Sequence, residues 1–134
     1  MSSEKTLRQV WWVLRLGIGL GPLLAGLDKF TNFLTDWTMY LSPLATRVIP
    51  VSPAVFMRAV GVVEAIVALA VLTKWTRLGA YIASAWLVCI AINLLTMRMF
   101  YDLAVRDVEI ALAAYTLARL TEVLGTPQFK PAAA

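Results

Sequence analysis

Lys29, Glu64, Asn93, Arg106, Asp107 and Glu109 are polar or ionisable residues set within or at the ends of long apolar runs. A charge inside hydrocarbon is costly, so such residues pair with one another or mark a site. Arg58, one turn into the second apolar run, belongs with them. Cations, carboxyl groups and an amide gathered at one depth could line a pocket for a polar headgroup, a quinone ring or an anion. They could equally form an ion-pair latch that fixes a helix bundle, or lie open to headgroups. Proton relay between paired acids is a weaker possibility.

What the chain lacks narrows the chemistry. It has no His and a single Cys, Cys89. Haem held by two imidazoles and His-based zinc or copper sites are excluded within this chain. Dithiol exchange needs two thiols, and Ser-His-Asp or Cys-His catalysis needs an imidazole. Cys89 reads as a small packing residue in mid-span. The formal charge is +4, yet no basic run with interleaved aromatics suggests nucleic acid. The expected partners are membrane lipids and other membrane protein subunits or further copies of the chain, and no nucleic acid. No metal or covalent cofactor is expected; a bound quinone or lipid is the open possibility.

The elements that must carry these residues are membrane spans. The chain is 60% hydrophobic and 15% charged, with mean hydropathy +0.77, which is more apolar and less charged than a soluble domain. A span needs roughly 20 mostly apolar residues, and four runs meet this, at about 9–30, 54–73, 77–98 and 103–123. The expected fold is all-α: one four-transmembrane-helix bundle over residues 1–124, with a flexible tail over about 125–134. Arg15 and the lack of a clean small-residue cleavage site argue against a cleaved signal peptide at the first span.

Local signals agree. Ser52 followed by Pro53 suits the start of the second span. The short connection from Thr73 to Arg77 makes spans two and three antiparallel neighbours. A short interfacial helix is expected within about 33–44, where the aromatics Trp37 and Tyr40 suit the headgroup layer. Gly125 and Pro127 end the last helix. Gly17, Gly21 and Ala25 fall four apart, and with Gly61 are expected to face other helices, since small residues allow close approach in lipid. Pro22 is expected to kink the first span.

Lys5, Arg8, Lys74, Arg77, Arg119 and Lys130 gather at one end of the expected bundle, against Lys29, Arg47, Arg98 and Arg106 at the other. The short basic turn decides the orientation: both termini are expected in the cytoplasm, in the cell's inner (plasma) membrane. Trp11, Trp12 and Trp75 would form one aromatic belt, and Trp37, Tyr40, Phe100 and Tyr101 the other. The polar set then falls in the outer half. Glu64, nearly three turns into its span, should touch at least one of Lys29, Arg106 or Asn93. Arg15 and Arg119, near the inner side, are expected to snorkel.

The segments Arg15-Leu16-Gly17, Gly26-Leu27-Asp28-Lys29-Phe30, Gly61-Val62-Val63-Glu64, Ala91-Ile92-Asn93-Leu94 and Tyr101 through Asp107 together resemble the pattern of DoxX-like membrane proteins. The resemblance implies a four-helix membrane bundle. The family is functionally mixed, so it supports the fold more than an activity. Its implied role is a non-catalytic accessory or assembly subunit of a larger membrane complex, with no catalysis expected from the chain alone. The alternative is a quinone-binding membrane subunit of a thiosulfate:quinone-type oxidoreductase, with Trp37, Phe100 and Tyr101 over the ring and Arg106 or Asn93 on its oxygens. A small transporter or channel ranks last, because four spans leave little room for a pathway and no inverted repeat is visible.

Overall fold

Ser2 starts the first helix, its hydroxyl accepting the Lys5 backbone N–H at 3.3 Å. This cap carries helix α1, Ser3–Asp28, several residues upstream of the apolar run. The computed structural model describes residues 2–125, so the expected tail, Pro127 and Lys130 lie outside the described residues. α1 continues through Pro22 without a break. A short 3₁₀ turn, Trp37–Tyr40, and a six-residue helix α2, Pro43–Val48, follow. The expected interfacial segment is thus two pieces, divided where Ser42 caps Leu44 ahead of Pro43. The same Ser-Pro device opens α3, Pro53–Leu72, where Ser52 accepts from Val55 N. Helices α4, Thr76–Thr96, and α5, Tyr101–Leu124, complete the chain.

The described residues are 81% helical and contain no strand. α1, α3 and α4 are each long and apolar enough to cross a membrane. Most of the apolar surface on these helices faces outward: Val13 is 72%, Leu24 63% and Ile66 62% exposed. Apolar exteriors on helices of this length suit a membrane protein. α5 is long enough as well, at 24 residues, but its charges keep it out of that class.

The long helices pack in neighbouring pairs: α1 with α3, α3 with α4, α4 with α5, and α5 back on α1. Their shared interior is built from Trp11, Ile18, Val71, Ala80, Ala83, Ala114, Leu117 and Ala118. Alanines dominate because lipid provides no hydrophobic drive between helices, so close backbone approach and dispersion must hold them. α1 and α3 approach closely at Gly26 and Gly61, where a Cβ on Gly61 would stand 2.5 Å from the Gly26 carbonyl oxygen.

Gly61 faces its neighbour as the spacing predicts, but Gly17 and Gly21 do not. A Cβ on either would meet nothing within 4 Å, and both lie on the outer side of α1. The packing face instead runs through Gly19 and Gly26, seven residues and two turns apart. Cys89 also departs from expectation: it is exposed on α4 and fills no core position.

Three chain reversals connect the helices. Arg98 and Phe100, between α4 and α5, both have left-handed backbone (φ 56° and 62°), an uncommon conformation for residues with a side chain. Gly125, at φ 71°, ends α5.

Candidate functional site

Lys29 closes α1 and turns its ammonium toward α3. Its Nζ donates to Glu64 Oε2 at 2.6 Å, and the two side chains are 4% and 9% exposed. The expected contact to Glu64 is therefore made by Lys29. The Trp37 ring covers the other side of the ammonium, 3.9 Å from Nζ to the ring centre. A cation over an indole face is attracted by the ring quadrupole, more so when desolvated. Of the fully buried side-chain nitrogens and oxygens described, Trp86 Nε1 alone lacks a hydrogen-bond partner.

Asp28, directly before Lys29, positions that roof. Its carboxylate accepts from Thr31 Oγ1 at 2.9 Å, Phe33 N at 3.1 Å, Leu34 N at 3.0 Å and Trp37 Nε1 at 2.8 Å. One buried carboxylate thus folds the exit of α1 and fixes the indole over its neighbour's ammonium. The Trp37–Tyr40–Phe100 aromatics continue the roof, with ring centres 6.2 Å and 4.9 Å apart.

Asp107 lies on α5 and is buried. Arg106 lies outside it: its Nη2 reaches Asp107 Oδ1 at 3.1 Å, while its side chain is 59% exposed. The polar residues thus form two ion pairs: Lys29–Glu64, which joins the end of α1 to α3, and Arg106–Asp107, which lies within α5.

The other predicted members are elsewhere. Asn93 spans the connecting segment, its Oδ1 accepting from Ser42 N at 2.9 Å and its Nδ2 donating to Tyr40 O at 2.6 Å. Thr96 adds a 2.8 Å bond to Ser42 Oγ. Asn93 is therefore a clasp for the 3₁₀ turn and α2. Arg58 and Glu109 are exposed and make no hydrogen bond or ion pair with the other described residues.

Arg15 also departs from the sequence expectation. It is 4% exposed, so it does not snorkel. Its guanidinium donates to the carbonyls of Val71 at 3.1 Å, Leu72 at 2.8 Å and Thr73 at 3.0 Å, at the C-terminal end of α3. Helix-end carbonyls have no partners within the helix and carry partial negative charge, so a cation suits them. The Trp11 and Trp12 rings flank it, each centred 4.9 Å from the guanidinium carbon. Trp11 in turn donates to Thr121 Oγ1 at 2.7 Å. The spacing of Trp11 and Arg15, one helical turn, was the available signal.

The same end of the bundle brings the chain's two described ends together. Arg8 donates to the carbonyls of Leu124 and Gly125, both at 2.9 Å. Glu122 there collects Arg77 Nε at 3.0 Å, Tyr81 Oη at 2.9 Å and Arg119 Nη1 at 3.1 Å, all on exposed side chains or near them. Among the described residues no group of three or more His, Cys, Asp or Glu could hold a metal ion. Comparison with family models, with curated proteins and with solved structures finds no match to this chain.

Proposed function

We propose that this chain is a DoxX-like integral membrane protein that acts as a non-catalytic accessory or assembly subunit of a larger membrane complex. In this reading α5 crosses the membrane with α1, α3 and α4, and the chain lies in the inner membrane with both termini in the cytoplasm. The carrying observation is the closed state of the buried ion pair. Lys29 and Glu64 bind each other directly and are roofed by Trp37, which fits a latch better than a vacant binding site. The residues of the DoxX-like pattern support the same reading, because Arg15, Gly26, Asp28, Lys29, Gly61, Glu64 and Asn93 all make contacts that join elements.

Purification of the full chain from its native membrane tests the role. A stoichiometric protein partner is expected, with no quinone in the organic extract. A chain that purifies alone and carries quinone would replace this reading with the oxidoreductase one. Orientation is tested separately by thiol labelling of Thr35→Cys and of Thr73→Cys, an exposed position in the α3–α4 connection, in a Cys89→Ser background. The two should label from opposite sides of the membrane; labelling from one side would reject the topology.

A further inference from the structure

α5 carries exposed charged residues within its length as well as at its ends. Its charged residues are Asp102, Arg106, Asp107, Glu109, Arg119 and Glu122. Asp107 turns inward, and Arg119 and Glu122 join the exposed cluster at the far end. Asp102 sits in the first turn, within reach of headgroups and water. Arg106 and Glu109 remain. The Arg106 guanidinium spends Nε and Nη2 on one Asp107 oxygen, leaving Nη1 and outward-facing hydrogens free. Glu109 is exposed and has no partner among the described residues.

Glu109 lies eight residues into α5, about 12 Å along the axis from its start at ~1.5 Å per residue. A two-carbon stem cannot return the carboxylate over that distance. Apart from Arg106, the exposed side chains around it are apolar: Val105 is 59%, Val108 43%, Leu112 63% and Tyr115 49% exposed. A carboxylate on such a face is costly if lipid covers it, and intramembrane charges face protein or water for that reason.

We propose that this face of α5 is the contact surface for a second copy of the chain, joined by reciprocal Arg106–Glu109 ion pairs. The inference rests on α5 crossing the membrane, as proposed above. Two copies in one membrane share an orientation, so their two-fold axis runs along the membrane normal and residues within about one turn of each other in depth can meet. An isologous contact requires a self-complementary patch, in which residue i meets j and j meets i. Arg106 and Glu109 provide one: opposite charges on one face, within a single turn, about 4.5 Å apart along the axis at ~1.5 Å per residue. Each arginine meets the partner's Glu109 as each Glu109 meets the partner's arginine. Val105 and Leu112 flank the pairs and exclude water from them. Thr116, one turn further on the same face, satisfies its hydroxyl on the Leu112 carbonyl at 2.8 Å and so can enter the contact without an unpaired donor.

The test is native mass spectrometry of the full chain released from lipid nanodiscs, with circular dichroism to verify helicity in each variant. Wild type should give a two-copy mass. Arg106→Glu alone and Glu109→Arg alone should each lose it, because like charges then meet. Co-expression of the Arg106→Glu chain with the Glu109→Arg chain should restore a mixed pair, since every contact is again between opposite charges. A wild-type chain that is monomeric in nanodiscs overturns the proposal. So do a two-copy mass unaffected by Glu109→Arg, a mixed pair that fails to form from helical variants, and a complex with one copy bound to a different protein. Recovery of the chain in the soluble fraction without detergent would instead overturn the membrane reading beneath it.

Discussion

The two ends of the α1–α3 pair are fastened by the same device with different acceptors. At one end Arg15 of α1 serves the free carbonyls that close α3. At the other, Lys29 of α1 serves the Glu64 carboxylate in the body of α3. Each cation is buried and each is faced by indole. The difference lies in what remains when the cation is removed. Carbonyls at a helix end near the bundle's surface can turn to water, and Thr76 already donates to two of them, those of Val71 and Thr73. Glu64 has no such recourse. A latch built on a carboxylate is therefore brittle in both directions, while a latch built on a helix end fails gradually.

Loss of one member of the Lys29–Glu64 pair should have the largest effect. Glu64→Ala strands a buried ammonium and is expected to cost about 3–5 kcal/mol, read as a fall in thermal midpoint in detergent. Glu64→Gln, which keeps an acceptor, should cost less. Replacing both partners at once, Lys29→Met with Glu64→Leu, should recover most of the loss, since a well-packed apolar pair often matches a buried ion pair. A double variant as unstable as Glu64→Ala would contradict the latch.

Arg15→Met should come second, at about 1–3 kcal/mol for carbonyls left with fewer donors. Arg15→Lys should rescue it only in part, because a single ammonium cannot reproduce a fork spread over three carbonyls. Full rescue by lysine would show that charge alone, and not the fork, closes this end.

Gly61→Ala should follow, at about 1–3 kcal/mol for forced overpacking. Its new methyl would press on the Gly26 carbonyl and on Lys29 Cβ, 3.0 Å away, so strain would pass into the latch. Gly21→Ala, in open space, should be near neutral. Equal effects from the two would mean that the seam does not run through Gly26 and Gly61.

The helices and the Lys29–Glu64 contact were legible because both follow from cost. Long apolar runs must be helical in lipid, and a glutamate deep in one must find a cation. Arg15 was not legible, because its acceptors are backbone atoms that any sequence supplies. Asn93 was placed in the polar cluster by depth alone, yet its partners are the Ser42 N–H and Tyr40 carbonyl of a segment whose path no spacing predicts. The α1 glycines show the same limit. Gly17–Gly21–Ala25 and Gly19–Gly26 are competing faces, and a helix apolar on nearly every side gives no amphipathic cue to choose between them. Asp28 was passed over as part of a helix end, although a carboxylate followed by Thr31 and a turn is a known way to gather stray N–H groups.

Cys89 is the chain's single thiol, and it stands exposed on α4. A nitroxide attached there needs no cysteine removed first. A solitary chain would give no dipolar modulation, whereas a symmetric pair would give one distance distribution. The wild-type sequence thus carries its own ruler for counting copies in a bilayer.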